Sequence, residues 1–213
     1  MSAVVLLAHG SRHHKAAEGV EQLVQAVQSH TDKPIIAAHL DFHDQDLAAA
    51  CRMLRSNGHE KATVVPLLFT QAYHQTIDVP NVVAQEESME LTLVPGLGTG
   101  DAIAELLQEQ LPEGSYPVIY AVGSSNKKAN MSVEKLAARL GGEAIFATNS
   151  SRTLGDVIAE GGSERHVHVL PLFVTYGLLL EQLQRRYPPT EQLSYSPPLR
   201  EKLVHIVKRR SQC

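Results

Sequence analysis

The chain is poor in cysteine: only Cys51 and Cys213 occur among 213 residues, and no Cys-x-x-Cys is present. That argues against a disulfide framework, a cysteine-based zinc site and an iron–sulfur cluster, and it makes the cytoplasm the expected compartment. Basic charge is not in excess. Lys and Arg number 19 against 23 Asp and Glu, a formal net charge of −4, so bulk electrostatics give no reason to expect a nucleic-acid partner. No apolar run approaches the roughly 18–20 residues of a membrane span. Residues 1–7 lack a basic n-region and read as a first strand rather than a signal peptide. Apolar residues are not scarce: 43% hydrophobic and 20% charged residues suffice for a real core and argue against disorder. The length suits one large domain or two small ones.

Histidine is unusually abundant. Of eleven, eight lie in the first 74 residues (His9, His13, His14, His30, His39, His43, His59 and His74) and only His166, His168 and His205 follow. Short apolar runs alternate with helical periodicity. Strands are expected at 3–8, 34–40, 62–69 and 91–94, with helices at 15–29 and 44–56, another after a loop to about residue 88, and one opened by GLGTGD. The pattern restarts: strands at 117–122, 143–148 and 166–174, and helices at 129–140, 151–160, 179–186 and 198–210. Such alternation implies βαβ units. The expected fold is α/β, with two similar lobes, each a parallel sheet flanked by helices, and an active-site cleft between them. A linker at 112–116 divides an N-terminal lobe, 1–113, carrying the chemistry, from a C-terminal lobe, 114–213, a degenerate repeat.

The repeat is visible in the residues. LLAHGSR (6–12) matches IYAVGSS (119–125), and VVPLLFTQAYH (64–74) matches VLPLFVTYGLL (169–179). In doubly wound sheets, ligands bind at the carboxyl ends of the strands. At three such ends the lobes differ: His9 faces Val122, Asp41 faces Thr148, and His74 faces Leu179. Taken singly, His9 could cap a helix, Asp41 turn the chain and His74 sit in an exposed loop. Taken together, two imidazoles and a carboxylate at equivalent strand ends form a plausible divalent-metal site for Fe, Co, Ni or Zn, with positions left open. Val122 and Leu179 are expected to serve packing.

Other features have two readings. Ser11 and Arg12 open a helix whose N-terminus favours anions, and Arg12 could grip a carboxylate bidentately; ordinary capping by Ser11 explains them equally. Ser124 and Ser125, with Lys127 and Lys128, hold the same place in the second lobe. His39 shares a strand face with Asp41 and is either a support for it or a hydrogen-bonded core histidine. His13 and His14 either gather metal or begin a solvated helix. Tyr73 could line the cleft. His166 and His168 read as structural.

AHGSR (8–12) and PLLFTQAYHQTIDVP (66–80) resemble the two motifs of the class II tetrapyrrole chelatases, the sirohydrochlorin cobalto- and ferrochelatases of the CbiX/SirB-like group. VGSSNKKAN (122–130) and VLPLFVTYGLLLEQL (169–183) are similar to the degenerate half of the long, internally duplicated form. The resemblance covers nearly the whole chain. It implies insertion of Co2+ or Fe2+ into sirohydrochlorin, towards cobalamin or siroheme, without ATP. The divalent metal is then a substrate, and no organic cofactor is implied. His9 and His74 match the family's metal-binding, catalytic histidines. Asp41 stands where the family usually has glutamate, an arm shorter by one methylene, with Asp44 and His43 as neighbouring donors. A flat, multiply carboxylated substrate suits Ser11, Arg12, Tyr73, Ser124 and Ser125 as binding residues, and Lys15, Lys127, Lys128 and Arg152 as nearby cations. A metal or tetrapyrrole carrier would use the same residues. A zinc hydrolase is less supported, since no His-Glu-x-x-His is present. A monomer or weak homodimer is expected.

Overall fold

The computed structural model describes residues 2–70 and 74–212; for His74 and Gln75 it describes the backbone only. The first half runs β1 (Ser2–Ala8), α1 (His14–Gln28), β2 (Ile35–His39), α2 (Leu47–Ser56), β3 (Lys61–Pro66), a π-helical turn (His74–Asp78), α3 (Val79–Gln85), β4 (Glu90–Leu93) and α4 (Asp101–Gln108). The second runs β5 (Tyr116–Ala121), α5 (Lys127–Arg139), β6 (Glu143–Phe146), α6 (Leu154–Gly161), β7 (Val167–Pro171), α7 (Leu178–Arg186), β8 (Leu193–Tyr195), a 3-10 turn (Arg200–Leu203) and α8 (Val204–Ser211). Two four-stranded sheets result, ordered β2-β1-β3-β4 and β6-β5-β7-β8, and every pairing between these strands is parallel. The α/β architecture expected from the sequence is therefore present, twice.

The strands read as unbroken apolar runs because both faces of each sheet are covered. Ala3, Val4, Val5, Leu6 and Leu7 of β1 have no exposed surface. On α1 the buried stripe is Ala16, Val20, Leu23, Val24 and Val27, the helical face expected from the spacing. Each large side chain buried in this way contributes about 1.5–3 kcal/mol. Cys51 belongs to the first core, where burial pushes its thiol up to about 11 and leaves it unreactive. The strand β8 was not legible: three residues are too few for an apolar alternation to show.

Contacts gather the chain into two compact units, Met1–Gly98 with Arg200–Cys213, and Thr99–Leu199. The sequence repeat restarts near residue 117, and the units divide at residues 98/99 and 199/200. α4 belongs to the second unit, where Asp101 pairs with Arg139 of α5 at 2.7 Å. α8 returns to the first, packing on α1 and β3, with Ser211 accepting from Lys33 Nζ at 3.3 Å. Both departures occur at equivalent residues. Gly98 N–H donates to Leu68 O at 3.4 Å, and Leu199 N–H donates to Phe173 O at 3.0 Å, after which each chain leaves for the other unit's helix layer.

The units also share one detail at their strand ends. Leu40 N–H donates to Ala8 O and Asp41 N–H to His9 O, both at 2.9 Å. Ala147 N–H donates to Ala121 O and Thr148 N–H to Val122 O, again at 2.9 Å. These bonds carry the pairing of the first two strands one loop further. They require glycine on the partner loop. Gly10 has φ +93°, and a Cβ there would lie 1.8 Å from Asp41 O; Gly123 has φ +85°, and its Cβ would lie 2.3 Å from Thr148 O. Gly123→Ala, in the lobe without His9 and His74, should therefore destabilise the protein by about 2 kcal/mol or more. Denaturant unfolding would measure it, and an unchanged midpoint would show that the crossing yields easily.

Candidate functional site

In the first unit, the loops after β1, β2 and β3 carry His9, Asp41 and His74. His9 is half-buried and Asp41 exposed, and the backbone bond between them fixes their spacing without using either side chain. Asp41 therefore keeps its carboxylate for other work. The backbone of His74 begins the π-helical turn that leads into α3. Its side chain, and all of Tyr73, lie outside the described residues. Among the described residues no three His, Cys, Asp or Glu side chains gather closely enough to hold a metal. π-helical turns often mark functional positions, and the second unit has none in the corresponding place, since α7 there is regular.

The loop after Gly10 is shaped by side chains. Ser11 Oγ accepts from His13 N–H at 3.1 Å. The helix cap is His13, not Ser11: its Nδ1 accepts from Lys15 N–H at 3.2 Å, and the residue is buried. His14 is exposed on the first turn of α1, its ring 4.7 Å from that of His13. In the second unit the same positions hold Ser124 and Asn126. Ser124 Oγ accepts from Asn126 N–H at 3.1 Å, and Asn126 caps α5 by accepting from Lys128 N–H at 3.0 Å. Asn130 then closes that loop, exchanging two 2.9 Å bonds with the Ser124 backbone. The first unit has Ala17 in this place, so no amide closes the loop that carries Ser11 and Arg12. Ser125 is exposed. Val122 is 47% exposed, so the packing role expected for it is not what the fold gives it. Leu179 is half-buried, and its carbonyl accepts from Tyr120 at 3.2 Å.

One residue beside the site was missed from the sequence. Phe42 follows Asp41 with φ +60°, a conformation that aromatic residues seldom adopt. Its ring is 54% exposed. It lies near-parallel to the His9 imidazole, centroids 6.5 Å apart and planes 22° apart, and the Arg12 guanidinium sits 4.9 Å from its centre. The second unit has Asn149 there at φ +55°. Asn takes this conformation readily, so the repeat carried a signal: Asn149 announces a left-handed turn, and a Phe at its equivalent position is a misfit.

The sequence profile of the CbiX family matches residues 3–114. The chain belongs to the CbiX family. It is 26% identical over 113 residues to the sirohydrochlorin cobaltochelatase of Sulfurisphaera tokodaii, covering 53% of this chain and 93% of that protein. It is 24% identical over 215 residues to the sirohydrochlorin ferrochelatase of Priestia megaterium, covering 91% and 80%. SirB from Bacillus subtilis, solved with Fe3+, superposes with a TM-score of 0.73 at 18% identity, over 99% of this chain and 94% of that one. CbiX described as the terminal enzyme for siroheme biosynthesis in denitrifying bacteria gives 0.70 at 18% identity, over 99% and 98%. Both structures share the two-lobed α/β fold.

Electrostatics separate the remaining histidines of this CbiX-family chain. His39 is 4% exposed, and its Nδ1 has no hydrogen-bond partner among the described residues. Of its two readings the core position is the one the fold gives it, but without the expected hydrogen bond at that nitrogen. Burial first, then the His43 ring 4.4 Å away, lowers its pKa to about 4. His43 Nδ1 accepts from Gln45 N–H at 3.0 Å. His166 and His168 are structural. His166 Nδ1 donates to Glu191 O at 2.9 Å, and its Nε2 is hydrogen-bonded to Ser194 Oγ at 2.7 Å; Ser194 Oγ also bonds His168 Nδ1 at 2.7 Å, and His168 Nε2 bonds Ser196 Oγ at 2.8 Å. Burial, followed by the neighbouring His166, lowers the pKa of His168. Arg152 is not an available cation: Glu143 holds it at 2.8 and 3.0 Å, and Glu160 takes its remaining donors.

A histidine whose folded pKa lies below its unfolded value leaves the unfolded chain holding more protons between the two. Stability contributed by its neutral form is complete above pH 6.5 and falls as the pH drops through that window. For His39, whose pKa falls from 6.5 to about 4, the loss should reach about 3 kcal/mol near pH 4. His168 adds with the same sign. Melting temperatures from pH 7.5 to 4.5 should fall less steeply in His39→Gln than in the wild type; parallel slopes would rule out a depressed His39.

Proposed function

We propose that this chain is a metal chelatase, inserting Co2+ or Fe2+ into sirohydrochlorin in cobalamin or siroheme biosynthesis, without ATP and in the cytoplasm. Among the described residues no helix is long and apolar enough to cross a membrane. The observation that carries the reading is the contrast between lobes. Under one shared backbone geometry, the lobe matched by the CbiX profile has His9 and Asp41 where the other has Val122 and Thr148. The names of two curated relatives supply the substrate.

The reaction exchanges two pyrrole N–H protons for one dication. It therefore needs groups that hold the metal and release it, and a base. His9, His74 and Asp41 are proposed to hold the ion on one side of the macrocycle. Imidazole titrates near neutrality, so one histidine, or the Asp41 carboxylate, accepts protons as the ring nitrogens bind the metal. Three donors leave positions open for the incoming nitrogens. Ser11, Arg12 and Tyr73 in the first lobe, and Ser124 and Ser125 in the second, are proposed to bind the carboxylated ring.

The test is an anaerobic insertion assay with Co2+, Fe2+ and Ni2+ in parallel, followed by absorbance. Multiple turnovers are expected; product that stops below one equivalent would favour a carrier. His9→Ala and His74→Ala should each remove at least 90% of the rate with melting temperature unchanged. Asp41→Ala separates chemistry from scaffold, because the positioning bond is made by its backbone N–H. A slower rate at unchanged stability is expected, and near-wild-type turnover in both histidine variants would remove the assignment.

A further inference from the structure

Resting on that reading of the site, we propose that Phe42 is the platform on which the first lobe stacks the flat face of the tetrapyrrole, and that it is a positioning residue for metal insertion. The fold does not ask for this ring. It is 54% exposed, so it is not a core side chain. Its backbone is left-handed at φ +60°, where the second lobe places Asn149. An aromatic side chain held against its own backbone preference, and left open to water, is explained by something that covers it.

The chemistry of its neighbours says what that is. The imidazole of His9, a proposed metal ligand, is near-parallel to that ring with its centroid 6.5 Å away, so a planar ligand on Phe42 is brought against His9. The Arg12 guanidinium lies over the same ring at 4.9 Å. A planar, anionic, extended π-system satisfies all three groups: its face stacks on Phe42, an edge carboxylate meets Arg12, and its centre comes within reach of His9. A free metal ion has no use for the phenyl ring, and a small carboxylate has no use for its area.

The experiment compares the wild type with Phe42→Asn, the residue used by the twin lobe, and Phe42→Tyr, which keeps the ring. Metal-free sirohydrochlorin is titrated against each and followed by its own fluorescence, alongside steady-state metallation. For Phe42→Asn, binding should weaken about tenfold, KM should rise in parallel, and kcat should change less than twofold. Its melting temperature should rise by about 2–4 °C as the strained turn relaxes. Phe42→Tyr should bind within twofold of the wild type. Binding by Phe42→Asn within twofold of the wild type would overturn the proposal. So would a lowered melting temperature, which would make the ring a packing residue, or a Tyr variant as weak as the Asn one. A wild type that binds the ring but never metallates it would sink the chelatase reading and leave the platform standing; a wild type that does not bind it would end both.

Discussion

The site depends on one backbone contact: the Asp41 N–H on the His9 carbonyl, admitted by a glycine between His9 and Ser11. A parallel sheet ends its strands in separate loops, and nothing in strand pairing obliges those loops to meet. Here the pairing of β1 with β2 continues past the last strand residue, and a Cβ at position 10 would collide with the Asp41 carbonyl. The loops are thus locked by main chain alone. The bond that sets positions 9 and 41 side by side is made by neither side chain, so their spacing does not depend on what those side chains hold.

The same frame in the second lobe makes the protein its own control. Both cores are built alike and both crossings use glycine, so residues that differ at matched frame positions do not differ for the sake of the fold. Histidine faces valine, aspartate faces threonine, phenylalanine faces asparagine and a histidine cap faces an asparagine cap. Each change on the first lobe's side adds a donor or an aromatic ring, and the Phe and His choices replace residues that suit their backbone better. Asn130, which staples the second loop shut, has Ala17 as its counterpart.

Most of the architecture was legible because it rests on periodicity. Ala16, Val20, Leu23, Val24 and Val27 announce a helix face, and AVVLLA announces a buried parallel strand. What was hidden was tertiary. No local signal says that α4 joins the second unit and α8 the first, since each helix is equally amphipathic in either place. The cap was misread because Ser is the commoner capping residue, while Ser11 in fact turns the chain two residues earlier. Arg152 looked available because its partners, Glu143 and Glu160, sit nine and eight residues away on different elements. Phe42 was passed over because an aromatic residue after a strand reads as ordinary core until its φ is known.

A duplicated protein can afford such misfits in one lobe only. A left-handed phenylalanine costs on the order of 1–2 kcal/mol, a cap other than Asn, Asp or Ser about 1 kcal/mol, and a loop without its amide staple a further hydrogen bond or two at about 1 kcal/mol each. Together these approach the lower end of the 5–15 kcal/mol by which a domain is stable at all. The second unit is one continuous stretch, Thr99–Leu199, whereas the first joins Met1–Gly98 to Arg200–Cys213. The first unit is closed by a segment that follows all of the second unit's strands in the chain. The local strain at Phe42 is thus carried within a unit whose sheet is covered in part by α8, packed on α1 and β3.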